Sequence, residues 1–445
     1  MNVLHVCYVL LLIFIVLSGY VFPSERVTLT EAIKIALEEN HEIKAFKNSL
    51  LAQKEGVGIA RSFLLPRISF EERAARTNNP PQVFMMKLNQ QRFGLTDFEL
   101  NNLNNPPPTT DYQTMLSIEQ PVFAMKSFIG VSIAKLEHAA KNDEYLRKKE
   151  ESALAVTQAY FQVRTAREFL YVAETGLQDT KEHVRIAEVR YKNGVGIYAD
   201  LLRSQTALTE AEQRLVRAKK DLAVAQRWFG LLLGKSEDVS IADEKIDVAV
   251  HSVDHYQRLA LSRRDVEAME KRYKNTRNNL NRTESSYLPY VGIGGSYQFN
   301  DHRRLFGTEG ESWHLNAFLR WDLFDGAGRE YERSKAHYQM AEAQEYLNGL
   351  RKQVSFKVYE SYLAAEETKK NFELSGAALT TAEEGKRLVK SRYENSLAPI
   401  VDLLDTQLYL DRARADHVAR ENEYRFAIIK LCYESGSILK ELKIE

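Results

Sequence analysis

RYKNGVGIYADLL at residues 190–202 returns as RYENSLAPIVDLL at residues 392–404, and this pair decides the fold. The spacing of 202 residues holds without a gap to Gly234 and Gly436. It sets Asp200, Leu201 and Leu202 on Asp402, Leu403 and Leu404, and Gln205, Leu208, Ala211 and Ala225 on Gln407, Leu410, Ala413 and Ala427. Upstream it sets Val156, Tyr160 and Leu177 on Val358, Tyr362 and Leu379. With small shifts, SFLLP (62–66) matches SSYLP (285–289), QPVF (120–123) matches WDLF (321–324), and Ala36-Leu37 matches Ala260-Leu261. An internal repeat takes precedence over any local signal. Here one unit is written twice.

Each unit reads helix, strand, strand, long helix, shorter helix. From about Met125 to Asn193 only Gly130 and Gly176 interrupt a run rich in Ala, Glu, Lys, Gln and Leu, and its twin runs from about Gly328 to Asn395. Nearly seventy helical residues at 1.5 Å each extend on the order of 100 Å, a length for which a globular core has no use. In the helix that follows, Leu201, Leu208, Ala211, Leu215, Ala218, Leu222, Ala225, Phe229 and Leu232 repeat at coiled-coil spacing. Small alanines in such a seam let neighbouring helices approach closely. These seams are expected to be buried only between copies.

The strands follow a period of two. Trp313, Leu315, Ala317, Leu319, Trp321 and Leu323 alternate with His314, Asn316, Phe318, Arg320 and Asp322. Val291, Ile293, Tyr297 and Phe299 alternate with Gly292, Gly294, Ser296 and Gln298; Tyr112, Leu116 and Ile118 alternate with Gln113, Ser117 and Glu119. Alternation over about ten residues with aromatics near the ends is the pattern of a membrane β-barrel strand, whose other face lines water. Polar connections, 77–110 with its Asn-Asn-Pro-Pro-Pro run and 301–311, join the strands into two hairpins. Four strands cannot close a membrane barrel, for which eight is the usual minimum, and open edges are not tolerated in lipid. Oligomerisation is therefore required, and three chains would supply twelve strands.

Composition agrees. The chain has 445 residues with 61 basic and 61 acidic side chains, which gives no basis for a nucleic-acid partner. Ten prolines and 21 glycines leave room for long elements, and two cysteines, Cys7 and Cys432, exclude a disulfide scaffold. Residues 6–22 form an uncharged apolar run followed by Pro23, Ser24 and Glu25. This reads as a signal peptide over 1–24, although its start lacks Lys and Arg; a retained anchor is the alternative.

Several local signals carry no chemistry. His251 and His255 have metal-binding spacing on a helix but lack a third ligand pattern. Gly292-Ile-Gly-Gly295 lies inside an alternating strand and is no phosphate loop. Lys148-Lys149-Glu150-Glu151 reads as a solvated helix face, Cys432 as a packed thiol. Asp402 and Asp405 form a carboxylate pair, but in a coiled-coil turn without an enclosed pocket. Nothing indicates an enzyme, a cofactor or a resident metal.

The duplicated unit behind a signal peptide resembles the TolC family of outer-membrane efflux proteins. Leu29–Leu37 (LTEAIKIAL), Leu65-Pro66, Leu288-Pro289, QPVF (120–123), WDLFDG (321–326) and the two Arg-Tyr…Asp-Leu-Leu blocks carry the resemblance over essentially the whole mature chain. It implies a mainly α chain with a β-barrel contribution: a homotrimer with a twelve-stranded barrel in outer-membrane lipid and a twelve-helix coiled-coil tunnel in the periplasm. Its units would be 25–234 (hairpin about 65–123, helices about 125–233) and 253–436 (hairpin about 289–324, helices about 326–435). A connector spans 235–252 and a short tail 437–445. Partners would be a periplasmic adaptor and an inner-membrane pump of the RND or ABC type. The implied activity is passive conduction in a tripartite efflux pump. A type I protein secretion system, or a periplasmic coiled-coil scaffold without a barrel, is the alternative.

The resemblance also places the site at the periplasmic turns. Tyr393, Asp402 and Asp405 match the family's aperture residues, Asp200 matches the first-half aspartate, and Tyr191 is the repeat twin of Tyr393. The turns Asn193, Gly194, Val195 and Asn395, Ser396, Leu397 are where an adaptor would dock. The sequence departs from the family's best-studied tip at Ala398, in the place of an arginine, and at Ala199, in the place of a threonine. Arg190, Arg203 or Arg392 is left to substitute in locking the tip. Ser396 stands where the first turn has Gly194.

Overall fold

Apolar and polar residues separate across a four-stranded antiparallel sheet made of β1 (Arg67–Thr77), β2 (Thr109–Phe123), β3 (Tyr290–Asp301) and β4 (Gly310–Arg320), in that spatial order. The structure is a computed structural model that describes residues 26–244 and 248–444; the signal peptide expected over 1–24 lies outside the described residues. The register aligns Ile68, Ile118, Gly295 and Leu315 in one row and Arg67, Glu119, Gly294 and Asn316 in the next. Successive side chains of a strand point to opposite faces. One face therefore carries Phe70, Leu116, Ile293, Tyr297, Trp313 and Leu319, and the other Ser69, Ser117, Ser296, Gln298 and His314. Trp313 and Leu315 are 70% and 73% exposed on the apolar face. Pro121 lacks the N–H a ladder needs, and the β2–β3 register shifts between Pro121 and Phe123.

One difference from expectation concerns the hairpins. Strand β4 stops at Arg320, so Trp321 and Leu323 are not part of it. The reason is local: Trp321 Nε1 donates to the Tyr287 carbonyl at 3.0 Å, and Arg329 donates to the carbonyls of Asp322 and Leu323 at 2.9 and 3.0 Å. The polar 77–110 connection has structure of its own. It holds helices Pro80–Asn89 and Leu100–Asn104, the first started by prolines and by Asn79, whose side chain accepts from the Gln82 N–H. Phe93 packs edge-on against Phe84 and Phe98 at 4.7 and 5.0 Å.

The long helices are α1 (Met125–Lys192, 68 residues), α2 (Tyr198–Leu232, 35 residues), α3 (Gly328–Glu394, 67 residues) and α4 (Ile400–Ser435, 36 residues). No described helix is apolar enough over a sufficient length to cross a membrane. The chain divides into two compact units. One holds the sheet, with residues 49–142 and 267–348; the other holds residues 26–48, 143–266 and 349–444.

The core of the second unit forms where α1, α2 and α4 meet the helix Leu29–Glu39. Leu29, Ala32, Ile33 and Ala36 fall on one face of that helix and are buried. Thr28 and Glu31 form a reciprocal capping box that fixes its start. Leu29, Ala32, Ile33 and Ala36 share one cluster with Val156, Tyr160, Phe229, Ile429 and Cys432. The Tyr160 hydroxyl donates to the Ala242 carbonyl at 2.6 Å. Burial pushes the Cys432 thiol up to about 12, so it is an inert packing group, as its apolar surroundings suggested.

Two further expectations are corrected here. The 148–151 charge run is not a solvated face: Glu150 is buried and meets Arg147 at 2.7 Å, and Lys148 pairs with Glu42 at 2.6 Å. The α2 seam is already buried or half-buried within one chain, with Leu201, Ala211, Ala218 and Phe229 buried. What stays open is a second stripe on the same helix, Val216, Val224, Trp228 and Leu231. With Phe161, Phe169 and Phe426 from α1 and α4, part of that stripe lines an open groove of about 1000 Å³.

Candidate functional site

Both helix turns end in the same hydrogen-bonded motif. In the first, the Gly194 N–H donates to Tyr191 and the Val195 N–H to Arg190, both at 3.0 Å. In the second, the Ser396 N–H donates to Tyr393 at 3.0 Å and the Leu397 N–H to Arg392 at 2.8 Å. These are Schellman caps, which need a left-handed residue at the position after the C-cap. Gly194 takes it at φ +72° without cost, whereas Ser396 takes it at φ +63° against a penalty of roughly 1–2 kcal/mol for a residue with a Cβ.

Arg190 accounts for the serine. Its Nη2 donates to Ser396 Oγ and its Nη1 to the Tyr393 carbonyl, both at 3.0 Å. The guanidinium also lies 4.9 Å from the centre of the Tyr393 ring. The last turn of α1 is thus stapled to the last turn of α3 by a charged donor, a stronger bond than a neutral pair makes. Among the three arginines that the sequence left open, Arg190 joins the two turns. Among the described residues Arg203 pairs with Asp200, at 3.7 Å, and Arg392 is exposed.

The repeat twins have parted company. Tyr393 is 3% exposed and packs with Ile400 and Leu403 beneath the second turn, with Ile186 and Val389 against them. Burial pushes its phenol up, with Arg190 opposing and Asp200 adding to the shift. Tyr191 is exposed and leans on Tyr198 at 5.4 Å. Asp402 and Asp405 are exposed, three residues apart on α4, and no cation pairs with either carboxylate among the described residues. Asn193, Gly194 and Val195 are exposed, as are Asn395, Ser396 and Leu397. The structure therefore joins Tyr393, Ser396 and Arg190 in one contact set and leaves the two aspartates free to face whatever surrounds them.

Arg190→Ala should loosen the second turn. Hydrogen bonds to a charged group contribute about 1.5–3 kcal/mol, so amide exchange over 395–397 should accelerate by roughly tenfold or more, with little change in the sheet. Adding Ser396→Gly should recover part of the loss, because it removes the left-handed penalty. Unchanged exchange in Arg190→Ala would mean that the staple contributes nothing.

The chain's similarities to known proteins agree with this architecture. The sequence model of the family described as Outer membrane efflux protein matches residues 32–235 and 255–432. Protein CyaE of Bordetella pertussis is 24% identical over 326 residues, covering 71% of this chain and 68% of that one. Outer membrane efflux protein BepC of Brucella suis is 24% identical over 247 residues, covering 53% of this chain and 48%, about half, of that one. Among solved structures, the CmeC outer membrane channel of Campylobacter jejuni superposes with a TM-score of 0.76 at 14% identity, over 92% of this chain and 86% of that one.

Proposed function

Because this chain belongs to the outer membrane efflux protein family, and is thus an outer-membrane channel protein, we propose that three copies assemble into the exit duct of a tripartite efflux pump. The observation that carries this reading is the sheet: four strands, one apolar and one polar face, and two unpaired edges. The edges β1 and β4 run in opposite directions, so a β4-to-β1' junction between copies continues the antiparallel ladder. Closure removes every edge from lipid and leaves the polar face around water. The exposed stripe Val216, Val224, Trp228 and Leu231 gives neighbouring copies an apolar surface to cover. A scaffold without a barrel would have no use for a lipid-facing sheet.

The turns 193–195 and 395–397 receive the periplasmic adaptor, and Asp402 and Asp405 ring the aperture that Arg190 helps hold. An inner-membrane pump supplies the energy; the duct only conducts, and catalyses nothing. Deleting the gene should sensitise cells to toxic compounds, and complementation with the intact gene should restore tolerance. If a broad panel of toxic compounds left the deletion strain unaffected while a secreted protein failed to leave the cell, the duct would serve protein secretion instead.

A further inference from the structure

The β3–β4 hairpin gathers three metal-ligating side chains that the duct and its gate do not use. Asp301, His302 and Glu309 bring a carboxylate oxygen, an imidazole nitrogen and a second carboxylate oxygen within 4.8 Å of one another. His302 Nδ1 stands 2.5 Å from Glu309 Oε2. Asp301 Oδ1 accepts from the N–H groups of Arg303 and Arg304 at 2.7 and 3.2 Å, which fixes that carboxylate and leaves its Oδ2 uncommitted to either. Gly307 makes the room, since a Cβ there would overlap the Asp301 carboxylate. The sequence spacing gave no warning, because the ligands meet only when the hairpin folds.

We propose that Asp301, His302 and Glu309 bind one divalent first-row transition-metal ion, of which Zn²⁺ is the most informative probe. One imidazole nitrogen with two carboxylate oxygens is a ligand set such ions accept, with solvent filling the open position. The ion takes the place of the proton between His302 and Glu309; that proton moves by way of water to His302 Nε2, so the ring binds as a neutral imidazole through Nδ1. Their 2.5 Å separation opens to about 3.4 Å when both atoms sit about 2.0–2.2 Å from one tetrahedral ion. Arg303 is the competitor: its Nε donates to His302 Nε2 at 3.2 Å and its Nη2 lies 3.6 Å from Glu309 Oε1. Its side chain is 75% exposed, so it swings away into water when the ion arrives.

The hairpin lies at the end of the sheet opposite the helix connections, so the ion would pin the turn across β3 and β4. The test is a Zn²⁺ titration of the full-length, tag-free protein in detergent, competed with a chromophoric chelator. One ion should bind per chain. His302→Ala should weaken binding at least tenfold, and Arg303→Gln should tighten it by removing the competing cation. Should His302→Ala fail to assemble, Glu309→Gln, which keeps an acceptor and the same volume, should show the same loss. Absence of stoichiometric binding, or binding that these ligand substitutions leave unchanged in assembled protein, overturns the proposal.

Discussion

Leu315→Arg should sharply deplete the folded protein, while Asn316→Arg, one residue further along β4, should be tolerated. Leu315 sits at the middle of β4, its side chain over Gly295, where a Cβ would come 2.8 Å from Leu315 Cδ2. It shares the apolar row with Ile68 and Ile118, whereas Asn316 shares the next row with Arg67 and Glu119. An arginine at the lipid midplane of a membrane barrel costs about 2–4 kcal/mol, and every copy in the assembly bears it. On the watery face the same charge stays hydrated, and a surface change away from packed features is worth about 0.5 kcal/mol or less. Urea unfolding of the barrel in detergent or lipid vesicles reads the contrast. Equal losses for both variants would mean that the two faces do not meet lipid and water.

The second large effect is expected at the aperture. Asp402 and its neighbour at 405 are both acidic, whereas the twin positions hold Asp200 with Arg203, which pair at 3.7 Å. The repeat has thus kept a self-neutralising pair in one half and an unneutralised one in the other. In the proposed assembly, three copies around a narrow opening would turn the unneutralised pair into two stacked anionic rings, the device by which channels favour cations. Replacing both with Asn should leave assembly intact and lower the cation-to-anion permeability ratio several-fold, read from the reversal potential across a planar bilayer in a salt gradient. Block by multivalent cations from the periplasmic side should weaken in parallel. An unchanged ratio in a correctly assembled channel would place these carboxylates away from the opening.

Much of this architecture is legible in the chain because its signals are periodic. The two-residue alternation through 290–299 and 313–320 predicts a two-faced sheet, and the register delivers it row by row. The 202-residue repeat predicts two equivalent turns, and both close as the same cap despite Gly194 having become Ser396. What periodicity does not carry is any contact between distant segments. Lys148 and Glu42 form an ion pair across more than a hundred residues, so the charge run around Lys148 looks solvated until the helix Leu29–Glu39 and its successor are in place. The end of β4 depends on Arg329 reaching back to two carbonyls, which no local pattern announces.

The turns show the same boundary. The sequence narrows the substitute for the missing tip arginine to Arg190, Arg203 or Arg392, all within one or two turns of the loop. Only the packing of α1 against α3 distinguishes them, because it sets Arg190 over the Tyr393 ring while its repeat twin Arg392 stays exposed. A serine at a left-handed cap was the one local sign that a partner was needed, since glycine would have been free of strain.

The four strands of each chain are proposed to close only as a ring of three copies, through the β1 and β4 edges. The mass of the unheated assembly, purified in detergent and measured by light scattering with the detergent contribution removed, tests this closure most directly. Three chains per particle are expected, converting to single chains on heating as the sheet opens. A particle of one chain that retains its full β-sheet signal would contradict it.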